Sequence, residues 1–82
     1  EFTSLFKTKF SITDFYFHSL NDITKKLIVK VRYRNQATPC TLTFRDTQTI
    51  EVELQKPLES IAPGQTAVFY DENRVVGGGF IS

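Results

Sequence analysis

From Lys26 to Arg34 the residues divide at period 2, with Leu27, Val29, Val31 and Tyr33 on one phase and Ile28, Lys30, Arg32 and Arg34 on the other. Successive side chains of an extended strand point to opposite faces, so this pattern predicts a strand with an apolar inner face and a cationic outer one. The same alternation recurs. After the turn-forming residues Asn35 to Thr38, Pro39 opens a second strand. In it Cys40, Leu42 and Phe44 are expected to point inward and Thr41, Thr43 and Arg45 outward, and it pairs with the first as a hairpin. Asp46 to Gln48 marks the next turn, beyond which Ile50, Val52 and Leu54 alternate with Glu51, Glu53 and Gln55.

Pro57 has no N–H and is expected to stop that ladder, and Pro63-Gly64 is the pair favoured at the centre of a type II turn. Thr66 to Tyr70 then reads as a strand and Asp71 to Asn73 as a tight loop. Arg74 to Ile81 reads as the return strand, broken by Gly77, Gly78 and Gly79. Near the N-terminus a strand is expected around Lys7 to Thr13, with a turn at Asn21-Asp22. Ile12, Phe15, Tyr16, Leu20, Ile23 and Leu27 also fit helical spacing, which leaves a helical turn open near Phe15 to Leu20. Eight Phe, three Tyr and ten Thr, with no Met and no Trp, weight the choice toward strand. Five or six short strands without a crossover helix lead to an all-β chain whose economical form is a small antiparallel barrel, closed or nearly so, because closure removes exposed edges. At 82 residues a second core does not fit, so residues 1–82 are read as one domain.

The chemistry open to such a chain is narrow. One cysteine, Cys40, cannot form an internal disulfide, and one histidine, His18, makes no metal site without several carboxylates. Cys40 as a nucleophile needs an activating cation or base, and its place on an apolar phase favours a core residue. Glu51 and Glu53 share one strand face and are read as a solvated acidic face partnering Lys30 and Arg32. The run Gly77, Gly78, Gly79 lacks the Lys, the Ser/Thr and the following helix of a phosphate loop, so close backbone packing or a bulge is the better reading. No apolar run approaches the roughly 20 residues that cross a bilayer, and no basic segment precedes an apolar one, so a soluble protein without a membrane partner is expected. Charge is divided along the chain. Residues 1–45 carry eight Lys/Arg against three acids, and residues 46–82 two against six. Lys30, Arg32 and Arg34 would place three positive heads about 6.5–7 Å apart on one strand face, near the phosphate spacing of a single nucleic-acid strand. Ion pairing with acids across the sheet or on a neighbouring domain is the competing use.

Arg32-Tyr33-Arg34, then Pro39-Cys40, then Ala62-Pro63-Gly64-Gln65 leading into Val68-Phe69-Tyr70-Asp71, and last Val76-Gly77-Gly78-Gly79-Phe80-Ile81, follow one another at intervals that resemble the C-terminal β-barrel of the tRNA-specific 2-thiouridylases. The likeness covers essentially the whole chain. Asp14-Phe15-Tyr16-Phe17 departs from it, standing where this family usually shows an Asn-Trp pair. The resemblance implies a six-stranded Greek-key-like barrel, similar to those of translation-factor second domains and aminomethyltransferases. It further implies a fragment of a larger cytoplasmic enzyme that uses ATP and a persulfide donor to thiolate the wobble uridine of tRNA. The Ser-Gly-Gly ATP motif and the working cysteines of such enzymes are absent here, and Cys40 matches the Pro-Cys position of the barrel, so this chain is expected to be non-catalytic. Its expected partners are tRNA, bound weakly by the isolated domain, and the catalytic and central domains of the parent chain. Lys30, Arg32 and Arg34 would meet phosphates, and Asn35 or Gln36 an unstacked base. A purely structural or protein-interaction barrel, translation-factor-like and without RNA contact, is the alternative.

Overall fold

The alternating segments hydrogen-bond to one another until, among the described residues, the sheet closes on itself. The computed structural model describes residues 6–31, 37–59 and 61–82. Over them the chain runs β1 (Phe6–Phe17), a 3-10 helix (Leu20–Thr24), β2 (Leu27–Lys30), β3 (Thr38–Asp46), β4 (Thr49–Glu59), β5 (Thr66–Asp71) and β6 (Arg74–Ile81). All pairings are antiparallel, and the strands close as a barrel in the order β1-β4-β3-β2-β5-β6. Three consecutive strands, β2 to β4, with β1 returned beside β4 make a Greek key. Most inward phases meet as expected, with Ile12, Leu27, Val29, Cys40, Ile50, Val52, Ala67, Phe69 and Val76 filling the interior, but Phe44, expected beside Cys40 and Leu42, is exposed where the β3–β4 register slips. Burying these side chains is the main force that holds the ring closed, since each is worth about 1.5–3 kcal/mol when large and fully enclosed.

Several local expectations give way to the ring. β1 does not end near Thr13 but continues to Phe17, because its first half pairs with β4 and its second half, from Ile12↔Ile81 to Phe17↔Gly77, pairs with β6. The helical turn lies later, at Leu20–Thr24, where the Ser19 hydroxyl accepts from the Asn21 N–H at 3.2 Å. β3 starts at Thr38, one residue before Pro39, and Thr38 is buried. β4 is not stopped by Pro57 but passes through it to Glu59. Opposite, the β1 register slips between Lys7, which faces Leu58, and Lys9, which faces Glu53. Such an irregularity leaves room for a residue with no N–H to donate. β6 is likewise continuous through Gly77, Gly78 and Gly79. A Cβ on Gly77 would run into the Phe17 ring and the Tyr16 carbonyl, and one on Gly79 would lie 3.0 Å from the Phe15 Cβ, so the glycines admit β1 at close range.

Gly64 has φ +93°, and the Gln65 N–H donates to the Ala62 carbonyl at 3.3 Å, as a type II turn centred on Pro63-Gly64 requires. That corner is tied to the C-terminus, since the Gly64 N–H donates to the Ile81 carbonyl at 2.7 Å and the Ile81 N–H to the Gln65 carbonyl at 2.8 Å.

Candidate nucleic-acid interface

The cationic strand places one of its residues at a cavity. β2 is hydrogen-bonded to β3 on one side and β5 on the other, with Ile28 opposite Tyr70 and Lys30 opposite Val68. Leu27 and Val29 take the interior, which turns Ile28 and Lys30, both half-buried, to the outer surface. There Ile28, Lys30, Ala37, Tyr70, Glu72 and Asn73 line an open cavity of about 350 Å³. It offers an ammonium group, a phenol ring and a carboxamide at one place. Those are the three kinds of group that meet a phosphate, stack on a base and hydrogen-bond a base edge. The Glu72 carboxylate repels phosphate, so an anion would sit on the Lys30 side.

The β5–β6 hairpin that supplies Glu72 and Asn73 is anchored by charge. Asp71 binds Lys25 at 3.3 Å and Arg74 at 3.5 Å, and Lys25 also reaches the buried Asp22 at 3.3 Å. Asp71 first, then Asp22, holds the Lys25 ammonium above its ordinary pKa. The 3-10 helix and the hairpin are thereby linked across 46 residues of sequence.

Of the residues singled out in the sequence, Lys30 lies at this cavity, whereas Arg32, Arg34, Asn35 and Gln36 lie outside the described residues, joined to them at Val31 and Ala37. The acidic pair is elsewhere than expected. Glu51 and Glu53 do not partner β2: in the register Glu53 faces Lys9 and Thr41, and Glu51 faces Ser11 and Thr43, because β4 lies between β1 and β3. Cys40 is fully buried, and burial pushes its thiol up to about 12, which keeps it protonated and unreactive. His18 meets Tyr16 edge-on at 5.3 Å. Among the described residues no group of three or more His, Cys, Asp or Glu could hold a metal ion, and no helix is long and apolar enough to cross a membrane. Tyr70 and Asn73 were not legible as site residues, because only the β2–β5 pairing brings them to Lys30. Their one local signal is the aromatic that precedes the Asp71 to Asn73 loop.

A family model described as the aminomethyltransferase β-barrel domain matches residues 7–81. The chain is 53% identical over 55 residues to the tRNA-specific 2-thiouridylase MnmA 2 of Phocaeicola vulgatus, a match covering 67% of this chain and 16% of that relative. It is 48% identical over 56 residues to the tRNA-specific 2-thiouridylase MnmA of Shewanella oneidensis, which covers 68% of this chain and 15% of the relative. With that of Syntrophotalea carbinolica the identity is 49% over 53 residues, 65% of this chain and 15% of the relative. The chain therefore spans roughly one sixth of the length of the curated relatives it matches.

Proposed function

The chain belongs to the aminomethyltransferase β-barrel domain family, in the form found in tRNA-specific 2-thiouridylases, and we propose that it serves as the tRNA-contacting, non-catalytic barrel of such an enzyme. Its task is to help hold the anticodon arm while the remainder of the protein, expected to be cytoplasmic, carries out the thiolation with ATP and a persulfide donor. The observation that carries this reading is the cavity in which Lys30, Tyr70 and Asn73 converge. Arg32, Arg34, Asn35 and Gln36 follow Lys30 directly in sequence and extend the same contact in this proposal. The protonated, enclosed Cys40 supports a non-catalytic role. A second reading, a purely structural barrel, draws on the Asp22-Lys25-Asp71-Arg74 ion pairs, which use cations to join elements.

The test is the salt dependence of tRNA binding by the full-length enzyme. Lys30→Gln, and separately Arg32→Gln with Arg34→Gln, should weaken binding. Each lost phosphate contact should flatten the slope of log K against log salt by about 0.7 for single-stranded regions and about 0.9 for duplex. Melting curves of the same variants exclude loss of fold as the cause. Folded variants whose affinity and salt slope equal those of the parent would assign these cations to the structural reading.

A further inference from the structure

At the end of β3 away from Lys30 the barrel exposes Leu20 and Phe44 beside Phe15, which is half-buried against the core. Phe15, Leu20, Phe44, Asp46 and Thr47 line an open groove of about 460 Å³. Leu20 is 68% exposed and Phe44 46% exposed, and the Phe15 and Phe44 rings lie 6.0 Å apart. Phe44 shares the inward phase of Cys40 and Leu42, yet it lies where the register slips before Asp46 and emerges at the mouth of the barrel. Phe15 is placed there by an irregularity of its own, since the β1 register shifts between Thr13 and Tyr16 and Asp14 takes φ +51°. Aspartate tolerates the left-handed region, so the bulge can turn Phe15 to the foot of the groove, where it also packs against the core.

What covers this groove is constrained by its rim and by the size of the relatives. Asp14 borders the adjoining cavity, which shares Phe15 and Thr47 with the groove, and Asp46 lines the groove itself, so the rim is acidic. Such a rim repels a phosphate backbone and favours an apolar segment flanked by a cation. The match spans only 15–16% of the 2-thiouridylase relatives, so most of such a chain lies outside the barrel. A covalently tethered partner needs little contact area, whereas two free copies need about 1,200–2,000 Å² in total, more than a groove of five lining residues supplies.

We propose that the Phe15-Leu20-Phe44 groove is the docking surface for the remainder of the parent enzyme, which inserts an apolar segment bearing a lysine or arginine that meets Asp14 and Asp46. The proposal rests on the reading of the chain as one domain of a longer 2-thiouridylase. Thr38 and Asp46, the two ends of β3, are separated by roughly 26 Å at the usual strand rise, so this surface and the Lys30 cavity can be occupied together.

Iodoacetamide labelling of the full-length enzyme without tRNA or ATP, mapped residue by residue by mass spectrometry, tests it with Leu20→Cys and Thr47→Cys in the groove and Val75→Cys outside it. Val75 is 46% exposed, so the barrel alone would label Leu20→Cys at least as fast as Val75→Cys. Docking predicts the reverse, with both groove cysteines slower by about tenfold or more. Silence of the buried Cys40 reports that the barrel is folded. Groove labelling as fast as that of Val75→Cys overturns the proposal. Protection that grows with protein concentration also overturns it, in favour of a second copy, and protection that needs added tRNA overturns it in favour of RNA. Failure of the 2-thiouridylase reading is seen separately, as a parent gene with no ATP-binding domain.

Discussion

Cys40 lies in register between Leu27 on β2 and Leu54 on β4, with no solvent contact. A thiolate there would lose its hydration without gaining a partner, which is why burial raises the thiol to about 12. In the unfolded chain a cysteine releases its proton near pH 8.5, about three and a half units lower. Between those values the folded state holds a proton that the unfolded state has lost. The stability tied to this proton is therefore complete below about pH 8.5 and falls by up to about 1.4 kcal/mol per pH unit as pH rises toward 12. Lys25, also raised, acts in the same direction, its ion pairs being lost as pH climbs through its elevated pKa. Cys40→Ala should cost about 1 kcal/mol at pH 7 through a small cavity. It should then lose less stability than the parent between pH 8.5 and 11 in urea titrations. Parallel losses in the two proteins would show that the thiol is not responsible.

Among the elements, the β5–β6 hairpin joins the most functions, since it closes the barrel against β1, borders the Lys30 cavity and carries Asp71. Its loop is two residues, Glu72 and Asn73, and Glu72 has φ +59°. That conformation suits Gly, Asn or Asp better than Glu, because a Cβ crowds the following carbonyl. Replacing Glu72 by glycine relieves the crowding, and the extra freedom glycine gives the unfolded chain offsets part of the gain. The expected net effect is a stabilisation of about 0.5 kcal/mol and a Tm higher by about 2–4 °C. A lower Tm for Glu72→Gly by calorimetry would refute the strain at this position. Asp71 is untouched by the change, so the ion pairs to Lys25 and Arg74 should persist.

The whole barrel depends on a pairing between the ends of the chain. Ile12 on β1 faces Ile81 on β6, the Ser82 N–H donates to the Ser11 carbonyl at 3.0 Å, and Ile81 is buried. No strand can keep its inner face dry if this closure opens, because every strand contributes to the one core. Ile81→Ala should therefore cost about 2–5 kcal/mol, as large-to-small changes in a core do. The loss should be felt everywhere at once: far-UV and near-UV circular dichroism should report one coincident urea transition. Separate transitions would mean that part of the barrel survives without closure. Pairing strands so distant in sequence also places this chain among slow-folding topologies.

Strand identity, inner and outer phases, the Pro63-Gly64 corner and the barrel class were legible in the sequence, because each depends on a residue and its near neighbours. Leu27 and Val29 face the core for the same reason that they alternate with Ile28 and Lys30. Strand order was not legible. The sequence offered Glu51 and Glu53 as partners for Lys30 and Arg32, but which strands lie side by side depends on how six inner faces share one volume, and that put β4 between β1 and β3. The bulges were hidden for the same reason. Pro57 was tolerated and Asp14 driven to positive φ by registers set across the ring, and Phe44, in phase with the core, was brought to the surface at its mouth. Local chemistry determined what each segment prefers to be, and only the closure of the barrel decided which side chains meet, since those contacts join residues that share no neighbourhood in the chain.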